Sequence, residues 1–239
     1  GKTSVGVTKV WADENNQDGV RPQNVTINLL ADEVDTGKTL TLSETNNWTG
    51  SFTDLDEYKA GEKIVYTVEE VAVGNGYTTT ITGDVATGYT VTNSRTPETI
   101  DVAGSKTWDD ANNQDGKRPT SITIRLLADG VEQESVEVFG PNWTWSFTGL
   151  PKYKEVGTVI QYTIKEDLVV GYTPTISGYD VTNAYTPGKV SVGVTKAWAD
   201  GNNQDGKRPE DVTIKLLADG VDTGKTLTLS ETNNWTGSF

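Results

Sequence analysis

Cysteine, methionine and histidine are all missing from this 239-residue chain. Without cysteine there is no disulfide, the usual staple of small domains that face an oxidising exterior. Without histidine or cysteine, a zinc site and a Ser–His or Cys–His catalytic pair are excluded. Lacking cysteine and methionine, the chain is also hard to oxidise. No stretch approaches the ~18 consecutive apolar residues that argue for a membrane span. No signal peptide or lipidation motif is present, so any export signal is expected outside this sequence. Basic residues are few: 20 Lys and Arg stand against 34 Asp and Glu, a formal net charge of −14. Phosphate backbones would be repelled by such a surface, which argues against nucleic acid as a partner. The same charge suits an exported protein that must stay in solution. Neither a metal nor a cofactor is expected.

What is abundant is Thr, Val, Gly and Asn, without long apolar helical patterns. This reads as all-β, and the length suits two or more domains of about 100 residues. Seven strands are expected in the first domain, at 4–11, 24–31, 38–43, 47–53, 63–71, 77–82 and 88–93. Turn signals separate them, such as Asp18-Gly19, Thr36-Gly37 and Gly74-Asn75-Gly76.

Internal repetition is the strongest feature. The segment VTKVWADENNQDGVRP from Val7 to Pro22 returns as AGSKTWDDANNQDGKRP from Ala103 to Pro119, and as VTKAWADGNNQDGKRP from Val194 to Pro209. The repeated lysines are Lys9, Lys106 and Lys196, 97 and 90 residues apart. A longer period also exists, because Gly1–Phe52 matches Gly188–Phe239 at all but eight of 52 positions. The domains expected are therefore 1–96, 97–187 and the first half of a third, 188–239. The stop inside the third is expected to be an imposed boundary, and that half to be mobile and poorly stable unless another chain completes it. Short linkers, Ser94–Glu98 and Ala184–Gly188, predict a semi-rigid string of domains.

Side chains alternate along a strand. Val5, Val7, Lys9 and Trp11 then share one face, as do Val102, Gly104, Lys106 and Trp108. Tyr66, Val68 and Glu70 share another, matched by Tyr162, Ile164 and Glu166. In the last strand Tyr89, Val91 and Asn93 align, matched by Tyr179, Val181 and Asn183. Each complete domain thus points one Lys, one Glu and one Asn at its core. Glu69 is a weaker candidate, since its parity points outward and Lys165 takes its place in the second domain.

Burial lowers the pKa of a lysine, and the neutral amine is a nucleophile. A carboxyl in the same core favours its protonated form and can donate to the Asn side-chain carbonyl. Attack on the amide carbon would release ammonia and join the first strand to the last. The alternative on these residues is an ordinary buried Lys–Glu ion pair with Asn hydrogen-bonded nearby.

The pieces K-x-W-x-D, NNQDGKRP, Y-T-[VI]-x-E and V-T-N before T-P resemble the B-type domains of the Gram-positive collagen adhesin family. The likeness covers both complete domains and the available half of the third. It implies tandem β-sandwiches of inverse immunoglobulin-like (prealbumin-like) topology, used as the repeat stalk of a wall-anchored surface protein. It also implies a Lys–Asn isopeptide bond promoted by an acidic residue. Carried over by position, the sets are Lys9, Glu70 and Asn93, then Lys106, Glu166 and Asn183; Lys196 has no partner in this chain. The resemblance places the protein outside the cell on the bacterial wall, with neighbouring repeats as its contacts and any host ligand bound by a region beyond this sequence. It describes a single self-modification per domain, not an enzyme. A second reading is a module that itself binds a host protein or glycan.

Two other features invite a functional reading. Asp13–Gly19 resembles a calcium loop, but the Gly falls one position late and no Glu closes it; an Asn/Asp turn is expected. Trp48, Trp143, Trp145 and Trp235 could stack on sugars. Trp48 shares parity with Gly50 and Phe52, and Trp143 and Trp145 with Phe147, so core packing is expected.

Overall fold

The computed structural model describes residues 1–239 and contains strands, turns and two short 3-10 helices, with no α-helix. Two compact units emerge, one of Gly1–Asp109 with Arg118–Ala184, the other of Asp110–Lys117 with Tyr185–Phe239.

The first unit holds two sandwiches built alike. In the first, the strands are β1 (Lys2–Ala12), β2 (Asn24–Ala31), β3 (Val34–Ser43), β4 (Thr49–Asp56), β5 (Tyr58–Lys59), β6 (Glu62–Lys63), β7 (Tyr66–Glu70), β8 (Thr78–Asp84) and β9 (Gly88–Ser94). One sheet runs β4-β1-β9-β8 and the facing one β3-β2-β7, with β5 and β6 forming a small hairpin. All pairs are antiparallel except β1 and β9, which lie side by side and parallel. The first and last strands are therefore central neighbours. Alternation selects the core: Val5 and Val7 from β1, Ile27 and Leu29 from β2, Val68 from β7 and Val91 from β9 are buried, while Thr8 and Glu69 stay outside.

The second sandwich repeats this with β10 (Thr99–Asp109), β11 (Ser121–Ala128), β12 (Val131–Phe139), β13 (Thr144–Pro151), β14 (Tyr153–Lys154), β15 (Thr158–Val159), β16 (Tyr162–Glu166), β17 (Thr173–Ser177) and β18 (Asp180–Ala184). Its sheets are β13-β10-β18-β17 and β12-β11-β16. The cores differ by a size exchange across one strand pair. Val7 stands opposite Gly50 in the first, and Gly104 opposite Trp145 in the second. A Cβ on Gly104 would lie 1.8 Å from the Tyr179 carbonyl oxygen and 2.8 Å from the Trp145 ring, so the bulk moved across the pair rather than being added.

The second unit contains β19 (Gly193–Thr195), β20 (Asp211–Ala218), β21 (Val221–Ser230) and β22 (Thr236–Ser238), paired as β19-β22 and β20-β21.

Strand interiors fall close to the sequence expectation; the ends differ. β3 begins at Val34, and the stretch expected at 63–71 is a hairpin arm followed by β7. Trp48 and Trp143 pack against the two cores as expected, but not through strand parity. They precede β4 and β13 in the left-handed conformation, φ +56° and +52°, so strand parity does not apply to them. Each packs edge-on against the tryptophan two residues beyond the core lysine, at 5.3 Å. Trp145, by contrast, is buried within β13 as expected.

The Asn/Asp loop is a left-handed turn. Glu14, Asn15 and Asn16 all have positive φ, as do Ala111, Asn112 and Asn113, and Gly201, Asn202 and Asn203. Asn tolerates this region better than most residues. The loop also holds the first linker. Asp18 accepts from Arg95 and from the Glu98 backbone N–H (2.8 Å), and Gln17 donates to the Tyr153 carbonyl at 3.0 Å. In the second unit, Asp115 accepts from the Gly188 N–H at 2.8 Å and the Tyr185 hydroxyl at 3.0 Å.

Candidate functional site

Parallel pairing of β1 and β9 sets Lys9 opposite Val91 and Trp11 opposite Asn93. Lys9 and Asn93 are then diagonal neighbours on one inward face. Glu70 arrives from the facing sheet at the end of β7, opposite Ile27 of β2. The second sandwich repeats the register, with Lys106 opposite Val181 and Trp108 opposite Asn183. Both clusters are sealed: the side chains of Lys9 and Glu70 are 0% and 1% exposed, and those of Lys106 and Glu166 0% and 3%. Asn93 and Asn183 are fully buried.

In the first cluster the Lys9 Nζ lies 3.7 Å from Glu70 Oε2, beyond hydrogen-bond length. Its amine donates instead to the carbonyls of Val10 (3.1 Å) and Val91 (3.5 Å). Glu70 Oε1 and Asn93 Oδ1 both contact the Thr79 hydroxyl, at 3.0 and 3.1 Å. Glu70 Oε2 and Asn93 Nδ2 have no partner. In the second cluster one oxygen does everything: Glu166 Oε1 is 2.5 Å from Lys106 Nζ and accepts from Asn183 Nδ2 at 3.1 Å. Asn183 Oδ1 is the atom left unpaired.

Burial lowers the Lys9 amine to about 8 against the opposing pull of Glu70. It lowers Lys106 too, despite the Glu166 contact. Desolvation wins in both because no water reaches the ammonium form.

An aromatic lid covers each amine. Lys9 Nζ lies 3.9 Å from the Trp11 ring centroid and Lys106 Nζ 4.6 Å from that of Trp108. Trp11 is wedged by Trp48 and Tyr77, with ring centroids at 5.3 and 5.2 Å, and Arg21 lies 5.2 Å from its ring. Arg21 is in turn fixed by Asp13 (2.6 and 3.0 Å), which also accepts from the Tyr77 hydroxyl at 2.7 Å and the Asn16 N–H at 3.0 Å. Burial works against the Asp13 carboxylate, yet the Arg21, Tyr77 and Asn16 donors hold it below the ordinary carboxylate range. Its oxygens are thus occupied by the protein's own donors.

The same frame surrounds the third lysine. The Lys196 N–H donates to Trp235 O at 2.8 Å, as Lys9 does to Trp48 and Lys106 to Trp143. Its Nζ lies 4.5 Å from the Trp198 ring, and Arg208 pairs with Asp200.

Sequence parity thus brought Lys, Glu and Asn to one place in both complete sandwiches. Thr79 and the Asp13–Arg21–Tyr77 bracket were not anticipated. The threefold recurrence of K-x-W-x-D and of the Arg before Pro marked part of the bracket. Thr79 left no such mark, because the second domain has Pro174 opposite its asparagine.

Residues 5–94, 102–184 and 192–239 each match the Cna protein B-type domain. The chain belongs to that family. Among curated proteins, a collagen adhesin of Staphylococcus aureus is 50% identical over 240 residues, covering all of this chain and 20% of that protein. The B-type chain described here therefore spans about a fifth of that relative's length. Among solved structures, the two B repeat units of the collagen binding protein of S. aureus superpose with a TM-score of 0.71 at 48% identity, covering 100% of this chain and 64% of theirs. The family is one of adhesin repeats, and the sandwich architecture is that of its B repeats.

Proposed function

We propose that these B-type domains are stalk repeats of a bacterial surface adhesin, and that each complete sandwich staples itself with a Lys–Asn isopeptide bond. The bonds join Lys9 to Asn93 and Lys106 to Asn183, promoted by Glu70 and Glu166. One observation carries this reading: in both sandwiches a sealed lysine, its pKa depressed by burial, shares a pocket with an acid that reaches the asparagine, directly or through one hydroxyl. Nζ attacks Cγ of the asparagine, the acid supplies a proton to Oδ1, and the Cγ–Nδ2 bond breaks. The proton lost from Nζ leaves with Nδ2 as ammonia, and a neutral amide replaces the buried ionisable amine.

The topology gives the bond a mechanical use. The chain enters a sandwich by β1 and leaves by β9, its parallel neighbour. Tension would pass from β1 through the new amide into β9 and bypass the residues between. Projection of a collagen-binding region away from the cell wall fits the chain's match to a fifth of a much longer collagen adhesin. Any such ligand contact belongs to a region beyond these repeats. Intact-mass measurement tests the bond: two complete domains should lose about 34 Da, one ammonia of about 17 Da each. A chain at its full calculated mass would overturn the covalent reading.

A further inference from the structure

The Thr79 hydroxyl touches two groups that both act as acceptors when Glu70 is ionised: Glu70 Oε1 at 3.0 Å and Asn93 Oδ1 at 3.1 Å. A hydroxyl has a single hydrogen. With Glu70 as a carboxylate, one of these contacts would have no proton in it. With Glu70 as a carboxylic acid, both are satisfied: Glu70 donates to Thr79, and Thr79 donates to Asn93 Oδ1. We propose that Thr79 is a catalytic proton relay of the first domain, carrying the Glu70 proton to the carbonyl oxygen of Asn93. This deepens the crosslinking reading and rests on it.

The strand register explains why a hydroxyl can stand there. Thr79 on β8 is the antiparallel partner of Asn93 on β9, so the two side chains lie side by side on one face. Thr79 is otherwise exposed, on the edge strand of its sheet. During attack, Nζ bonds to Cγ and the carbonyl electron pair moves onto Oδ1. Thr79 gives its proton to Oδ1 and takes the one on Glu70. The ionised Glu70 then receives the surplus Nζ proton at Oε2, the unpartnered oxygen 3.7 Å away. On collapse Oδ1 returns its proton through Thr79, the Glu70 proton passes to the leaving Nδ2, and ammonia departs. Thr79 and Glu70 end as they began.

The second domain lacks this relay. Pro174 occupies the place opposite Asn183, and Glu166 touches the carboxamide directly through Nδ2. The two domains therefore run one reaction by two proton routes, and the second serves as an internal clock for the first.

The full chain would be synthesised in a cell-free reaction, quenched at intervals, digested, and assayed by mass for ammonia loss at each Lys–Asn pair. Thr79→Val keeps the shape at an exposed edge position. It should slow the first domain by about tenfold or more. The second domain should be unchanged. Thr79→Ser should restore the first domain to within about threefold, because the hydroxyl is what the relay needs. Equal rates for Thr79→Val and the parent chain, or a Ser variant as slow as the Val variant, would overturn the relay. Absence of ammonia loss from both domains of the parent chain would instead overturn the crosslinking reading.

Discussion

The two clusters contain the same three residues in different hydrogen-bonding states. In the first, the amine faces backbone carbonyls, the acid faces a hydroxyl, and the asparagine presents its oxygen to that hydroxyl. The amine and the acid are therefore out of hydrogen-bond contact with each other. In the second, a single Glu166 oxygen collects both Lys106 and the Asn183 NH2, the arrangement of an ion pair. The first is poised for attack. The second must pass a proton from Lys106 to Glu166 across 2.5 Å and turn the Asn183 carboxamide over before its oxygen can be protonated. On the neighbouring strand the residue opposite the asparagine also differs, Thr79 against Pro174. A buried polar cluster is thus specified by what stands beside it as much as by its own members.

The largest effect expected on this comparison is complete and local. Glu70→Ala should abolish ammonia loss at Lys9–Asn93 while leaving Lys106–Asn183 crosslinked, and Glu166→Ala the reverse. Peptide mapping after digestion reads both, and the uncrosslinked domain should be the one that protease opens first. Crosslinking at Lys9 in Glu70→Ala would remove the role assigned to the acid.

Next in size is stability. Asn93→Ala and Asn183→Ala should each delete a proposed crosslink closing a loop of about 80 residues, worth roughly 4–5 kcal/mol by analogy with disulfide loop entropy. The loops are alike, so any difference between the variants comes from what remains buried. Lys106 keeps a close partner in Glu166, whereas Lys9 and Glu70 stay 3.7 Å apart, so Asn93→Ala should lose more. The first domain of Asn93→Ala should also depend on pH. Its Lys9 is neutral when folded down to about 8 but charged when unfolded up to the ordinary lysine value of 10.5. The unfolded state binds the extra proton inside that window, so stability should rise from about pH 8 to 10.5 and level off outside it. Denaturant midpoints across pH check this; a flat profile would mean that Lys9 keeps its charge in the fold.

How far the sequence reached follows from the same physics. Period-two alternation predicted the strand interiors and the inward parity of Lys9, Glu70 and Asn93, because a one-residue slip would turn each to solvent. It could not place Trp48 and Trp143, whose left-handed backbone breaks the alternation it relies on. It missed Thr79 because that residue lies on an exposed edge strand, where the pattern carries no inward signal, and its role depends on register with Asn93 across a hairpin. Its Asn and Asp content predicts the NNQDG loop as a turn. Its second use, gripping the linker, depends on contacts some 80 residues away in sequence.

The smallest effect concerns that grip, where the two linkers differ again. Asp18 holds the first through Arg95 and the Glu98 N–H, while Asp115 holds the second through the Tyr185 hydroxyl and the Gly188 N–H. The backbone donor is common and the side-chain donor has changed from a cation to a phenol. A carboxylate accepting a backbone N–H is worth about 1.5–3 kcal/mol. Asp18→Ala should therefore speed hydrogen exchange at the Glu98 amide by about tenfold or more, and Asp115→Ala should do the same at Gly188. Tyr185→Phe should leave Gly188 protected, since the carboxylate that accepts its N–H remains. Arg95→Ala should expose the Glu98 amide more, because it strands a buried carboxylate and invites water to the site. If both side-chain deletions behave alike, the charge in the first linker adds nothing to the grip, and the backbone N–H alone defines it.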